Sequence, residues 1–355
     1  MLTITFMVNA PACPCRGARG RIAKLAHQEQ CLHGTGAISH TIVAVGFAKF
    51  HVDDLFEQEC RALGEACAAA RMRLDERTPD AFKQAFRGYQ GAKAPTADYF
   101  ERKCLSLRLS AVKRGMVVDA TVTPAFLARV VPARCPVTLE AFDMDGKSPR
   151  NPSIDRLVNE VTYLAGNICA LSFRANRAKG ERTFEEVAHI AQAGSNEHGL
   201  EAVEWMRLAS LMYGAWAKAF KQADPFLLPL AALPSPGLFM STSQVVQLLL
   251  TRHCGTGAEQ PAETARRWVS LTRDAGGSAE QFLAMQAALG SALDEEEFPG
   301  NAWLHPGVFD AFVTWFTAAK SAVVPAVEEL LQYHQERRSD PVAELGWPAE
   351  SRYQH

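Results

Sequence analysis

No run of about 18 consecutive apolar residues occurs anywhere in the 355-residue chain, and the opening MLTITFMVNAPACPCRG carries no charged leader ahead of an apolar stretch. The reading is therefore a cytoplasmic protein with neither a membrane span nor a secretory leader. A surplus of one charge is also missing. The 37 Lys and Arg residues against 39 Asp and Glu leave a formal net charge of -2, so any attraction to nucleic acid has to come from a local basic surface. The nine cysteines are an odd number with no dense spacing, which speaks against a disulfide framework and for reduced thiols. Neither a Walker A pattern nor a Gly-x-Gly-x-x-Gly following a strand is found, so ATP hydrolysis and dinucleotide chemistry are not expected.

What is present is an apolar share of 48% with 21% charged residues, the composition of a soluble globular protein long enough for two compact units or one domain with large additions. Two strand-like runs, Leu2 to Val8 and His40 to Phe50, flank a Gly/Cys-rich basic segment and predict a small β-containing start. From Val52 to about Met116 the apolar residues recur at steps of three and four, the spacing of helices, with Thr78 and Thr96 as N-caps. A short helix follows Thr123-Pro124 and is ended by Pro132. Thr183 with Glu186 forms a capping-box signature, and beyond Ser195 the chain is helical again, with the Pro-rich and apolar DPFLLPLAALPSPG as a packed connector. The tryptophans at 205, 216, 268, 303 and 315 sit among aliphatic residues at helical spacing and read as core. This gives an N-terminal β segment plus helices over 1–120, a distinct unit at 121–193, a helical region at 194–340 and a tail at 341–355.

The unit at 121–193 carries the chemistry. In PSIDRL, Ile154 and Leu157 fit a short strand that presents Asp155. In GNICALSFRANRAKG, a Gly166-Asn167 turn leads through Ile168, Ala170 and Leu171 into a helix bearing Arg174, Asn176, Arg177 and Lys179. Strand, loop, strand and helix make a ββα unit. A carboxylate from its first strand and an amide oxygen from its helix can meet on one divalent cation, because Mg²⁺ takes hard oxygen ligands and keeps water and phosphate as the others.

These residues, together with CPVT at Cys135 to Thr138 and the trailing TFEEV, resemble the HNH (ββα-metal, treble-clef-like) nucleases, particularly their phage and prophage members. The resemblance covers about residues 121–192. It implies an α+β chain, mostly helical with an embedded ββα-metal unit, that hydrolyses DNA phosphodiester bonds with Mg²⁺ or Mn²⁺ and comes from a phage or mobile element. Asp155 and Asn176 would bind the metal. Arg156 would occupy the slot where many members place the histidine general base and would meet the scissile phosphate. Asn167, beside Gly166, would be the structural asparagine that ties the loop together, while Arg174, Arg177 and Lys179 would meet phosphates.

Two departures from the family stand out. Arginine stays protonated at ordinary pH, so Arg156 cannot take a proton from water. Many relatives also brace the fold with two Cys-x-x-Cys pairs, whereas Cys135 is followed here by Thr138 and Cys169 has no nearby partner, so no structural zinc is expected in this unit.

The same residues also have a plainer reading: Asp155-Arg156 as a surface ion pair, Gly166-Asn167 as a hairpin turn, and Asn176 as an ordinary helix residue. The alternative function is a non-catalytic DNA-binding or assembly protein that retains the scaffold and binds a protein partner through its C-terminal helices. Elsewhere, Cys13, Cys15, Cys31 and His33 offer four zinc ligands at spacings tighter than the usual, or else reduced thiols beside a basic loop. DMDGK at Asp143 to Lys147 begins like a calcium loop but has Ile154 where the twelfth-position glutamate belongs, so it reads as a turn.

Overall fold

The computed structural model describes residues 49–93, 97–144, 148, 150–222, 226–255 and 261–336. Contacts divide the chain into residues 5–55 and a larger unit of 1–4 and 56–355; of the smaller one, only 49–55, the beginning of a helix, is described. The run Leu2 to Val8, most of His40 to Phe50 and the set Cys13, Cys15, Cys31 and His33 lie outside the described residues. Lys49 and Phe50, expected in a strand, are helical.

The larger unit begins with three helices, α1 (Lys49–Ala69, of which 56–69 belong to this unit), α2 (Asp80–Gly88) and α3 (Tyr99–Val112). Cys60, Leu63 and Cys67 recur at steps of three and four on α1 and bury against Phe82 and Val112. The α1 and α2 backbones approach closely because Gly64 has no side chain: a Cβ there would fall 2.5 Å from the Phe82 carbonyl oxygen. Two expected caps need comment. The Thr78 hydroxyl donates to the Asp75 carbonyl, so Pro79 takes the N-cap position of α2. Thr96 lies outside the described residues, and α3 is capped by Asp98, which makes a reciprocal box with Glu101.

A second core joins Cys104, Leu107 and Ala111 of α3 to Val118, Val122, Tyr163, Ile168 and helix α4 (Pro124–Val130). Thr123 caps α4 by accepting from the Phe126 amide, and Pro124 takes the first turn, where its missing N–H is not needed. On this core rests an antiparallel hairpin of β1 (Ser153–Arg156) and β2 (Ile168–Leu171), paired in the register Ser153 to Leu171, Ile154 to Ala170, Asp155 to Cys169 and Arg156 to Ile168. Alternation puts Ile154, Arg156 and Ile168 toward the second core and Ser153, Asp155, Cys169 and Leu171 on the opposite face. Helix α5 (Phe173–Lys179) follows β2 directly, capped by Ser172.

Helix α6 (Phe184–Ala193) starts at the Thr183/Glu186 capping box and packs on α7 (Ala202–Ala219). From Glu204 to Ala217 every residue of α7 is buried, so this helix is surrounded on all sides. The connector after it is packed, with Leu228, Leu230, Ala231, Ala232 and Leu238 buried. Helices α8 (Thr242–Cys254), α9 (Pro261–Asp274), α10 (Ala279–Glu295), α11 (Pro299–Ala302) and α12 (Pro306–Glu336) close around a third core. Its buried indoles are satisfied: Trp303 donates to Thr251 Oγ1 at 2.8 Å and Trp315 to Thr272 Oγ1 at 2.9 Å. The architecture is mostly helical with one small antiparallel sheet. Among the described residues no helix is long and apolar enough to cross a membrane.

Candidate functional site

The hairpin and α5 converge on one cluster. The Asp155 carboxylate faces α5, and its Oδ2 pairs with Lys179 Nζ at 3.2 Å. One turn earlier on the same helix, Asn176 Nδ2 donates to Ser153 Oγ at 2.7 Å. Period two along the strand and the i, i+3 spacing on the helix thus bring Ser153, Asp155, Asn176 and Lys179 together. The free ends matter most for chemistry. Among the described residues, neither Asp155 Oδ1 nor Asn176 Oδ1 has a protein partner.

Lys179 differs from its expected phosphate-facing role. Its side chain is 0% exposed, and its ammonium lies between Asp155, Asn159 Oδ1 at 3.0 Å and the Gly180 carbonyl at 3.4 Å. The physical reason is the helix face: Ala175, Ala178 and Lys179 form the buried side of α5. Arg174 is likewise engaged. Its guanidinium holds both oxygens of the buried Glu204 at 2.6 and 2.7 Å, Glu140 at 3.1 Å and the Gly199 carbonyl at 3.0 Å. The bonds it donates to the Glu204 carboxylate hold the Arg174 pKa above its ordinary value. Arg177, on the outer side of α5, is exposed.

Arg156 points away from Asp155. Its Nη1 donates to the Asn159 carbonyl at 2.6 Å and the Val161 carbonyl at 3.3 Å, and the guanidinium lies over the Tyr163 ring at 5.0 Å. It braces the loop between the strands from the side of the second core, and among the described residues the plainer Asp155-Arg156 ion pair is not formed. Its buried Nε has no partner among the described residues.

Asn167 closes the same loop from within. Buried at 1% exposure, its Oδ1 accepts from the Val158 amide at 2.9 Å, while Nδ2 donates to the carbonyls of Val158, Thr162 and Val161. Gly166 has a packing role: a Cβ at that position would collide with the Phe239 ring, and the Phe239 amide donates to the Gly166 carbonyl at 3.1 Å.

The CPVT turn is held to the hairpin by a thiol. Cys135 Sγ accepts from the Thr138 amide at 3.5 Å and the Ser172 amide at 3.2 Å, and the Thr138 hydroxyl donates to Ser172 Oγ at 3.2 Å. Burial, with Cys135 and Asp155 nearby, pushes the Cys169 thiol up and keeps it protonated. Among the described residues no group of three or more His, Cys, Asp or Glu side chains gathers to hold a metal. DMDGK is described only at its first two residues; 145–147 lie outside the described range.

Mg²⁺ is held in proteins by one or two carboxylates, with water and phosphate completing the shell. Asp155 and Asn176 carry hard oxygens of the kind Mg²⁺ takes, on the strand and the helix of one unit. Sequence reasoning missed Ser153, Asn159 and Phe239. Strand alternation was a signal for Ser153, two residues before Asp155; Asn159 and Phe239 had none. Comparison of the chain with protein-family models, curated proteins and solved structures gives no match.

Proposed function

We propose that the chain is a divalent-metal-dependent DNA endonuclease of the ββα type, acting at the Asp155/Asn176 face. The observation that carries this reading is the convergence of one carboxylate and one amide, each with an unengaged oxygen, from a strand and a helix onto a single face. Asp155 and Asn176 would hold the cation, which when bound would polarise the phosphate and stabilise the departing oxygen.

The remaining residues position and balance the site. Ser153 orients the Asn176 amide so that its oxygen is the free end. Lys179 holds the Asp155 carboxylate in place and offsets its charge in a buried setting. Arg177, exposed on α5, adds a phosphate contact that carries affinity without sequence information. Arg156 takes no proton and faces the other way. General-base assistance worth about 10²–10⁴-fold is therefore missing from this pair, and slow turnover is expected.

A second reading, a DNA-binding scaffold without catalysis, has one specific observation in its favour. Lys179 already supplies Asp155 with a positive partner.

A nicking assay on supercoiled DNA with Mg²⁺, Mn²⁺ or EDTA separates the two readings, run beside folded Asp155→Asn and Asn176→Ala proteins. Metal-dependent nicking lost in both variants supports the nuclease. Intact DNA that is bound equally well in EDTA transfers the assignment to the scaffold, and no DNA affinity at all ends both.

A further inference from the structure

Phe173 is 63% exposed, more than any other large hydrophobic side chain among the described residues. Three observations make it more than a stray surface ring. It is the first residue of α5, directly after the Ser172 cap, whose Oγ accepts from the Ala175 amide, so its backbone is fixed. One turn on, Arg177 is exposed, and among the described residues it has no acidic partner. Helix α5 carries no acid, and its other two cations are occupied, Arg174 by Glu140 and Glu204 and Lys179 by Asp155.

Four residues apart, Phe173 and Arg177 leave the helix on one stripe, with their backbones about 6 Å apart along its axis. Asn176 borders that stripe and turns its amide toward Ser153, so the strip is continuous with the Asp155 face. At the lower end, a Cβ on Gly180 would be in ordinary contact with the Arg177 carbonyl oxygen at 3.5 Å and Arg182 Nη1 at 3.9 Å. The arrangement is an exposed aromatic ring followed by an exposed cation. Duplex bases are already stacked on each other, whereas an unpaired base can leave its neighbours and lie on a protein ring.

We propose that Phe173 and Arg177 form a binding strip for single-stranded DNA, the ring stacking on an unpaired base and the guanidinium meeting the adjoining phosphate. The proposal rests on the DNA reading above and narrows its substrate to unpaired or frayed strands. Every base has a π-face, so the strip is tolerant of sequence.

The test is equilibrium binding of the full chain in EDTA to a fluorescent oligothymidine of about 20 nucleotides and to a duplex of the same length, across a salt series. Wild type is expected to prefer the single strand. Phe173→Ala should weaken that binding roughly 5- to 100-fold with the salt slope unchanged, and Phe173→Tyr should restore it to within about threefold. Arg177→Gln should lower the slope by about 0.7, one phosphate on a single strand. A preference for the duplex, or a Phe173→Ala protein within about twofold of wild type, overturns the strip while leaving the nuclease reading standing. So does a Phe173→Ala loss that lowers the salt slope, since that is a charge effect. A wild type that binds neither DNA removes both.

Discussion

A lysine with no solvent exposure stays in a fold only when its ammonium is fully paired, because burying an isolated charge costs far more than one interaction returns. Lys179 meets that condition through Asp155, Asn159 and the Gly180 carbonyl, while Asp155 itself keeps 16% exposure. The two partners are therefore unequal. Asp155→Ala strands a buried cation and should cost about 3–5 kcal/mol of stability. Lys179→Met leaves a carboxylate that water can still reach and should cost less than half as much. Urea midpoints of the two variants check the inequality, and the double variant should resemble Lys179→Met. If Asp155→Ala loses less than about 1 kcal/mol, the ion pair is not what holds this face together.

The same residue scale shows where sequence reading succeeded and where it stopped. Ile154 marked a short strand carrying Asp155, and the run after Gly166-Asn167 marked a strand and a helix carrying Asn176; these elements are present. The pattern did not say which side of a seven-residue helix is outward. Ala175 and Ala178 mark the inner face, and Lys179 falls beside them, so one of the three residues expected to meet phosphates is a buried counter-ion. Arg156 is similar: its charge was legible, but its partners are backbone carbonyls, which leave no trace in a pattern of side chains.

At the scale of elements, the loop of the hairpin is held by pieces distant in sequence. Arg114 donates to the Tyr163 hydroxyl at 2.7 Å beneath it, and Phe239 of the connector covers Gly166 on the loop. Gly166→Ala forces a methyl group into the Phe239 ring and should destabilise by roughly 1–3 kcal/mol, the cost of overpacking. Combined with Phe239→Ala the penalty should largely disappear, giving a coupling energy of at least about 0.5 kcal/mol in a double-mutant cycle. Additive effects would mean that the ring does not lie where the glycine leaves room. The elements themselves were the most legible part of the chain. Thr123-Pro124 and the Thr183/Glu186 box marked helix starts that are present, because capping is local chemistry. Thr78 misled because its hydroxyl found the Asp75 carbonyl, a competing local bond of the same kind.

On the scale of the whole molecule, the tryptophans were readable as core because they recur among aliphatic residues, and all five are buried. The joints between cores were not readable. Arg207, 6% exposed on the surrounded helix α7, donates to the Val137 carbonyl at 3.2 Å and to Asn301 Oδ1 at 2.8 Å, so one side chain touches the CPVT turn and the C-terminal helices together. Burial lowers its pKa, yet the group stays far from neutral at ordinary pH. Arg207→Ala should leave both acceptors unpaired at about 1–3 kcal/mol each. Calorimetry should then show the wild-type transition broadening or splitting as the two regions lose their common anchor. A single sharp transition shifted to lower temperature would mean that packing alone couples them.

The bond between the Phe239 amide and the Gly166 carbonyl also has a meaning in time. A ribosome adding about 5–20 residues per second takes roughly 4–15 s to travel from the loop to the residue that covers it. For that interval the nascent hairpin has Asn167 and the second core but not its lid, and a chaperone or a misplaced apolar side chain could occupy the groove over Gly166. The glycine that permits a tight fit in the finished protein is, during synthesis, an open berth.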